Sequence, residues 1–161
     1  MIRDVHTEDA QRITDIYNPY ILNTIITFEE KVIPADEIRQ RIENVTSKGL
    51  PWIVYETEHG IIGYAYASPW RTRSAYRFAV ETTIYLDQNF KGKGYGKQLY
   101  AALLERLKIL GIHTAIAGIS LPNEESVGLH ESFGFRKAAH FHEVGFKFEQ
   151  WIDVGFWEMI L

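Results

Sequence analysis

The strongest chemical signal in this sequence is a glycine-rich loop between an apolar run and a helical pattern. The loop is Lys91-Gly92-Lys93-Gly94-Tyr95-Gly96-Lys97. Residues 80–86 before it have strand character, and the leucines that follow at helical spacing are Leu99, Leu103, Leu107 and Leu110. A strand, a glycine loop and a helix together present backbone N–H groups to an anion, and the helix dipole favours negative charge there. The sequence therefore predicts a phosphorylated ligand at this loop.

The spacing of the glycines excludes two common phosphate-binding loops. A P-loop needs glycine five positions before Gly96 and a hydroxyl residue after Lys97, but Lys91 and Gln98 stand there. A dinucleotide fingerprint needs G-x-G-x-x-G near the start of a βαβ unit, whereas the third glycine here comes one residue early and in mid-chain. The alternative is a turn without a ligand, although three glycines carry an entropic penalty that a plain turn would not need.

Length and composition limit the classes of protein to consider. The chain has 161 residues, which fits a single domain spanning 1–161, and a net charge of −4 argues against a general nucleic-acid or anionic-membrane surface. The absence of cysteine excludes disulfides, thiolate metal sites and a cysteine acyl-enzyme. No apolar run approaches 18 residues, and the first residues do not resemble a signal peptide. We therefore expect a cytoplasmic location.

Hydrophobic periodicity predicts an α/β chain with the element order β-α-α-β-β-β-α-β-α-β-β. The first helix is expected to start at Thr7 and to be interrupted at Asn18-Pro19, and the second to start after Pro34. Two final strands are expected at about 136–144 and 151–160, joined by a loop around 145–150. This order predicts a mixed sheet with helices on both faces.

The G-x-G-x-G loop resembles the acyl-CoA pyrophosphate loop of the GNAT N-acetyltransferases, whose motif is Arg/Gln-x-x-Gly-x-Gly/Ala. Lys91, Gly94 and Gly96 occupy its fixed positions, with lysine in place of Arg or Gln. More narrowly, the chain is similar to the phosphinothricin and methionine sulfoximine/sulfone acetyltransferases. The matching segments are 69–76, 80–85, 123–135 and 145–157.

This resemblance implies a fold, a reaction and an assembly. The fold would be the mixed, mostly antiparallel twisted sheet of that family, with helices on both faces. Acetyl-CoA would be the co-substrate, without a metal, and the acceptor would be the amino group of a small amino-acid-like compound. The protein would be a homodimer.

Within the resemblance, Glu81 is the expected general base, acting directly or through a water. Strand alternation places Glu81 and Thr83 on one face, and aromatic neighbours would raise the pKa of the carboxyl. The alternative is an ordinary solvated strand glutamate. Arg71 and Arg73 are expected to bind the acidic end of the acceptor, because guanidinium groups pair bidentately with oxyanions. Their alternative is two solvated loop arginines.

The remaining expected site residues surround these groups. The substrate pocket would include Phe28, Trp70, Tyr76, Thr82 and Thr83, of which the aromatic ones could equally be core residues. Backbone N–H groups of Ile84, Tyr85 and Leu86 would polarise the thioester carbonyl, and the pantetheine arm would pair with the same strand edge. The coenzyme arm would also contact Asn123 and Ser126, although Asn123 could simply be a helix cap.

Protonation of the leaving thiolate is the least determined step. The helix after the strand contains no tyrosine, so His130 is the expected acid; alternatively it is structural, or no acid is needed. His140 and His142 alternate onto one strand face and could bind a metal, but no partner carboxylate stands at ligand spacing, so we predict none. Two other functions stay open: acetylation of a protein, peptide or polyamine amine, and a non-catalytic acyl-CoA-binding module.

Overall fold

The computed structural model describes all residues from Met1 to Leu161 as one sheet flanked by helices. The strands are β1 Ile2–Asp4, β2 Trp52–Thr57, β3 Gly60–Pro69, β4 Ala79–Leu86, β5 Thr114–Leu121, β6 Arg136–Lys147 and β7 Gln150–Ile160. The helices are α1 Ala10–Asn23, α2 Ala35–Thr46, α3 Tyr95–Ile109 and α4 Glu124–Ser132. No helix combines the length and apolar character needed to cross a membrane. The observed order of elements confirms the predicted α/β class.

The seven strands form one sheet in the order β1-β2-β3-β4-β5-β7-β6. Every neighbouring pair is antiparallel except β4 and β5, which run parallel. That parallel pairing joins only residues 79–81 to residues 114–116, although β4 continues to Leu86 and β5 to Leu121. The two strands therefore diverge in the middle of the sheet, and the backbone of β4 beyond Glu81 has no partner on that side.

Two hydrophobic clusters hold helices on opposite faces of the sheet. One face packs on α1 and α2, where Ile38, Ile42 and Val45 recur at helical spacing and are buried. The other face packs on α3 through the buried side chains of Leu99, Leu103 and Leu107. Leu110 is an exception, because it follows the last helical residue and is half exposed.

The predicted break at Asn18-Pro19 is wrong, because α1 continues through Pro19 to Asn23. Proline removes one backbone hydrogen bond from a helix. Here Tyr17, Tyr20 and Ile21 on either side of it are buried against the sheet, and this packing outweighs the lost bond. Thr7 also does not cap this helix: it begins a short 3₁₀ turn, in which the Asp9 carboxylate accepts from the His6 backbone N–H.

The C-terminal strands are longer than predicted, and the loop expected around 145–150 is only a two-residue turn. Phe148 and Glu149 form it with positive φ angles of 51° and 58°, the backbone of a type I′ hairpin turn. Glycine or asparagine usually marks such turns, and neither is present here, so the sequence carried no signal for a tight connection.

Candidate active site

A cavity of about 290 Å³ occupies the fork between β4 and β5. Its walls come from loop residues 26–28, β4 residues 81–85, β5 residues 117–120, and side chains of α4 and β7. Glu81 holds the last paired position of β4, opposite Ile116, and lies directly at the fork. The divergence of two strands thus creates a cavity in what would otherwise be a continuous sheet.

Glu81 is the titratable carboxylate in this cavity. Burial raises its pKa above the usual value of 4.5, and the positive charge of Arg71 partly opposes that rise. A carboxyl with a raised pKa is better matched to accept a proton near neutral pH than an ordinary surface glutamate. The expected environment of Glu81 is therefore present, and its role as a general base stays a prediction.

The two threonines beside Glu81 differ in what they can offer a substrate. Thr83 faces the same side of β4 as Glu81, whereas Thr82 points to the opposite side and is buried. The Thr82 hydroxyl is bonded to the Tyr100 hydroxyl at 2.7 Å and donates to the Ile116 carbonyl at 3.3 Å. Thr82 still lines the cavity in the fork although its hydroxyl is bonded at the end of the β4–β5 ladder, and its contact with a substrate stays a prediction.

A second cavity, of about 470 Å³, lies beside the first and is bordered by the glycine loop. The predicted coenzyme residues that line it are Ile84, Tyr85, Leu86, Lys91, Gly92, Gly94, Gly96, Lys97, Asn123 and Ser126. Lys93 and Tyr95 do not line it: Lys93 lies over the Phe90 ring, and Tyr95 packs edge-on against Tyr55. We name this second cavity the loop groove.

Glycine is required where the loop enters α3. Gly92 and Gly94 have φ angles of +74° and +83°, and Gly94 is the residue that precedes the first turn of α3. This backbone leaves the first N–H groups of α3 directed at the groove, as expected for an anion site. Lys91 adds a positive charge there, with Nζ 3.3 Å from a Glu125 carboxylate oxygen.

The two cavities meet. Both are lined by Ile26, Ile84, Tyr85, Asn123 and Ser126. The β4 segment that lost its strand partner therefore lies between a carboxylate on one side and a phosphate-type loop on the other. Asn123 also caps α4, since its side-chain oxygen accepts from the Ser126 N–H at 3.1 Å.

His130 lines the cavity in the fork but is itself buried. Its Nδ1 donates to the Ser126 carbonyl at 2.7 Å, which leaves Nε2 as the free ring nitrogen. Burial lowers the pKa of His130, so the neutral ring dominates at neutral pH. A proton-transfer role for His130 stays a prediction, and the protonated form that a general acid requires is disfavoured.

The predicted acceptor-binding side chains lie at different depths. Phe28 lines the cavity in the fork, with part of its ring exposed. The Arg71 guanidinium stacks on the Trp70 ring at 4.0 Å and is close enough to influence Glu81. Arg71, Arg73 and Tyr76 are all exposed in the loop between β3 and β4, and none of them contributes to the walls of either cavity. Their contact with an acceptor stays a prediction.

The exposed histidine pair on β6 has a carboxylate neighbour that sequence spacing did not reveal. Ligand atoms of His140, His142 and Asp153 lie within 4.8 Å of one another. The Lys137 ammonium, however, lies 2.9 Å from His140 Nδ1, and His140 Nε2 lies 2.7 Å from an Asp153 oxygen. Both nitrogens of His140 are thus engaged by side chains.

Sequence reasoning missed several residues of the site. Tyr20 donates its hydroxyl to the Leu86 carbonyl at 2.6 Å and lines the loop groove, while Ile26, Gly118 and Phe156 line the cavity in the fork. Only Gly118 carried a signal, as a glycine inside an apolar strand pattern, which marks a close approach of another group.

Comparison with known proteins agrees with this geometry. The acetyltransferase (GNAT) domain family matches residues 2–156. A Streptomyces coelicolor phosphinothricin N-acetyltransferase is 38% identical, over 94% of this chain and 90% of that protein. A Salmonella typhimurium L-methionine sulfoximine/L-methionine sulfone acetyltransferase is 32% identical, over 99% and 94%.

Solved structures place the chain in the same group. A Sinorhizobium meliloti phosphinothricin acetyltransferase in complex with acetyl-CoA superposes with a TM-score of 0.96 at 39% identity, covering 100% of this chain and 88% of that one. A Brucella melitensis ribosomal-protein-alanine N-acetyltransferase gives 0.97 at 34% identity, covering 100% and 99%. This chain therefore belongs to the GNAT acetyltransferase family and is an acetyl-CoA-dependent N-acetyltransferase.

Proposed function

We propose that this protein transfers the acetyl group of acetyl-CoA to the amino group of a small amino acid that carries a second oxyanion or sulfone-type group. Phosphinothricin, methionine sulfone and methionine sulfoximine are the acceptors that the relatives' names suggest. The observation that carries the proposal is the junction of the two cavities. Only one segment of β4 separates the loop groove from the half-buried carboxylate of Glu81.

In the proposed reaction, Glu81 takes a proton from the acceptor ammonium, directly or through one water. The free amine then attacks the thioester carbonyl and a C–N bond forms. As the C–S bond breaks and coenzyme A leaves as the thiolate, the nitrogen releases its second proton and the amide forms. The backbone N–H groups of Ile84 and Leu86, which alternate to the side that lacks a partner from β5, stabilise the oxyanion that develops on the carbonyl, whereas the Tyr85 N–H faces β3. The second proton neutralises the thiolate, and His130, whose free Nε2 can accept and release it, is the candidate relay.

The proposed acceptor site has a size and charge suited to an amino acid. The cavity in the fork is about 290 Å³, at the small end of ligand pockets, and Arg71 supplies positive charge near Glu81. Arg71 and Arg73 would bind the carboxylate or phosphinate of the acceptor. A polyamine would meet repulsion from the same arginines.

Acetylation of a peptide N-terminus is the second candidate, because of the similarity to the Brucella melitensis ribosomal-protein-alanine N-acetyltransferase. A peptide needs an open groove leading away from the amine, whereas Phe28 and the 26–28 segment stand on one side of the cavity. We therefore place the peptide second to the free amino acid.

The deciding experiment follows acetyl-CoA-dependent thiol release over phosphinothricin, methionine sulfone, methionine sulfoximine, spermidine and a panel of N-terminal peptides. Turnover of the first three alone supports the proposal. Turnover of the peptides or spermidine alone refutes the acceptor class while leaving the family intact. If nothing turns over although acetyl-CoA binds, the proposed acceptors are wrong and the non-catalytic module gains support.

We also propose that the enzyme is a homodimer acting in the cytoplasm, where acetyl-CoA is available. Exposed apolar side chains crowd β6, β7 and the turn between them. They are Phe141, Val144, Phe146, Phe148 and Trp151. An exposed apolar surface of this kind is typical of an interface. Light scattering should give twice the chain mass, and Phe146→Lys combined with Trp151→Lys should give a monomer; a monomeric parent protein would refute this assembly.

A further inference from the structure

One wall of the acceptor cavity is a segment with no regular secondary structure. Residues 24–28 follow the end of α1, and Ile26, Thr27 and Phe28 from this segment line the cavity in the fork. A wall of this kind has no backbone ladder to fix its shape, so side chains from neighbouring elements must set its position. We call it the 24–28 segment.

Lys147, the last residue of β6, contacts the backbone of this segment with its side chain. Lys147 is only 2% exposed, and its Nζ donates to the Thr24 carbonyl at 2.8 Å and to the Thr27 carbonyl at 2.7 Å. Its partners are thus two carbonyls of the same segment rather than a carboxylate. Burying an ammonium is unfavourable unless polar groups replace its water, and here the segment supplies those groups.

The Lys147 ammonium links two points of the segment, because the Thr24 and Thr27 carbonyls that it binds are three residues apart. One ammonium held to both fixes the curvature of the chain between Thr24 and Thr27, and with it the direction in which Ile26 points. A neutral side chain of the same length would fill the space but could not hold the two oxygens together. Burial lowers the pKa of Lys147, while the charges of Glu29 and Glu30 act in the opposite direction.

Two further contacts position the same segment. Gly145, two residues before Lys147 on β6, lies under the Phe28 ring: an added Cβ would be 2.4 Å from Phe28 Cε2 and Cζ. From β5, the Ser120 hydroxyl donates to the Ile25 carbonyl at 2.6 Å. The ring of Phe28 can therefore lie where it does only because position 145 has no side chain.

We propose that Lys147 is a positioning residue for the acceptor: it holds the 24–28 segment so that Ile26 and Phe28 form the wall against which the amino acid is oriented. This inference rests on the proposed function for its kinetic consequence, and on the contacts above for its structural one. Lys147 touches no reacting atom, and it lies outside the loop groove.

A merely structural lysine and a positioning lysine predict different results. Loss of a structural contact would lower the melting temperature and reduce activity without preference for either substrate. Loss of a positioning contact should raise the KM for the acceptor and leave the KM for acetyl-CoA almost unchanged. A small displacement of a substrate-orienting group is enough for a large kinetic effect.

The test compares Lys147→Met, which keeps length and removes the donors, with Lys137→Met, a matched change of an exposed lysine on the same strand. For Lys147→Met we expect about a tenfold or greater rise in acceptor KM, less than about a twofold change in acetyl-CoA KM, and faster amide exchange confined to residues 24–28. Lys137→Met should show none of these changes.

Equal changes in both KM values, or unchanged exchange in the 24–28 segment of the folded variant, would overturn the proposal. If Lys147→Met does not fold, Gly145→Ala tests the same wall with the ammonium in place, and it should also raise the acceptor KM selectively; an unchanged KM there would count against the proposal. The exchange measurement needs no acceptor, so a wrong acceptor class and a wrong role for Lys147 give separable results.

Discussion

The carboxylate of Glu81 on β4 lies directly against the backbone of Gly118 on β5. A Cβ added to Gly118 would be 3.3 Å from Glu81 Oε1 and 3.0 Å from Phe156 Cε1. Both distances are shorter than ordinary van der Waals contact between carbon and its neighbours. Gly118 therefore provides the space in which a half-buried carboxylate and an aromatic ring meet where β4 and β5 diverge.

The first prediction concerns this contact. Gly118→Ala should lower kcat by about tenfold, because a displacement of a fraction of an ångström is enough to misalign a general base. Acetyl-CoA binding should be retained, since Gly118 does not line the loop groove. Steady-state kinetics and calorimetric binding of acetyl-CoA measure the two quantities.

Gly128→Ala is the matched control for that change. Gly128 lies in α4, and an added Cβ there would meet no atom within 4 Å. Alanine in a helix is more favourable than glycine by about 1 kcal/mol, so this variant should be slightly more stable and equally active. A Gly118→Ala enzyme with the kcat of the parent protein would show that the Glu81 carboxylate can move without consequence.

The second prediction tests the base itself. Glu81→Gln keeps the shape of the side chain and cannot accept the proton, so kcat/KM should fall by about 10²–10⁴. The dissociation constant of acetyl-CoA should not change, because Glu81 lies outside the loop groove. Retained turnover in Glu81→Gln would assign deprotonation of the amine to another group or to solvent.

The third prediction links the same carboxyl to stability. Burial raises the pKa of Glu81 in the folded state above its usual 4.5, so the folded state favours the protonated form. Below pH 4.5 the carboxyl is protonated in both states; as the pH rises through the raised pKa, the folded protein must bury a charge and loses stability. Glu81→Gln avoids this penalty.

Thermal unfolding of the two proteins at pH 4 and pH 8 measures this effect. At each pH we take the melting temperature of Glu81→Gln minus that of the parent protein. This difference should be more positive at pH 8 than at pH 4. An identical difference at both values would mean that Glu81 is solvated, as an ordinary strand glutamate would be.

The fourth prediction separates the two arginines. Arg71 lowers the pKa of Glu81, while Arg73 exerts no such effect. Arg71→Gln should therefore move the acidic limb of the kcat/KM profile to higher pH, because the base then needs a higher pH to ionise. Arg73→Gln should leave the limb in place and, as a binder of the acceptor's oxyanion, should raise the acceptor KM.

The test is the pH profile of kcat/KM, recorded with the same acceptor for Arg71→Gln and Arg73→Gln. A limb that moves equally for both arginines would point to a general charge effect. If the acidic limb moves for neither variant, Arg71 does not influence the pKa of Glu81. The proposal that the oxyanion site lies close to the base would then be contradicted.

Much of the fold was predictable because hydrophobic periodicity is local. The order of the elements, the start of α2 after Pro34 and the capping of α4 by Asn123 were all predicted correctly from local patterns of residues. The errors occur where distant packing overrides a local rule. Pro19 stays inside a helix because its neighbours are buried, and Phe148-Glu149 turns tightly without a turn-forming residue.

The site was predictable only in part for the same reason. The glycine loop and Glu81 were found from spacing and resemblance, whereas the bond between Thr82 and Tyr100 was not foreseen because it joins two different elements, β4 and α3. Lys147 looked like one residue of a matching segment, and its role depends on carbonyls 120 residues away or more. Contacts of this kind cannot be read from a strand pattern.

The fifth prediction uses two lysines of the glycine loop that differ in their surroundings. Lys91 lines the loop groove, with Nζ over the Tyr20 ring at 5.3 Å, whereas Lys93 lies over Phe90 outside the groove. Lys91→Ala should raise the KM for acetyl-CoA by about five- to tenfold at low salt, because a charge at the phosphate-binding loop is removed. Lys93→Ala should change it by less than about twofold, since a solvated charge farther away is screened.

Measuring the KM for acetyl-CoA of both variants at low and high salt distinguishes a direct contact with the coenzyme from long-range electrostatic attraction. Screening weakens solvent-exposed charges more than partly buried ones, so the effect of Lys91→Ala should persist at high salt while any effect of Lys93→Ala disappears. Equal effects of the two substitutions, vanishing together in salt, would mean that the lysines only attract the coenzyme. The backbone N–H groups at the start of α3 would then carry the binding of the phosphates alone.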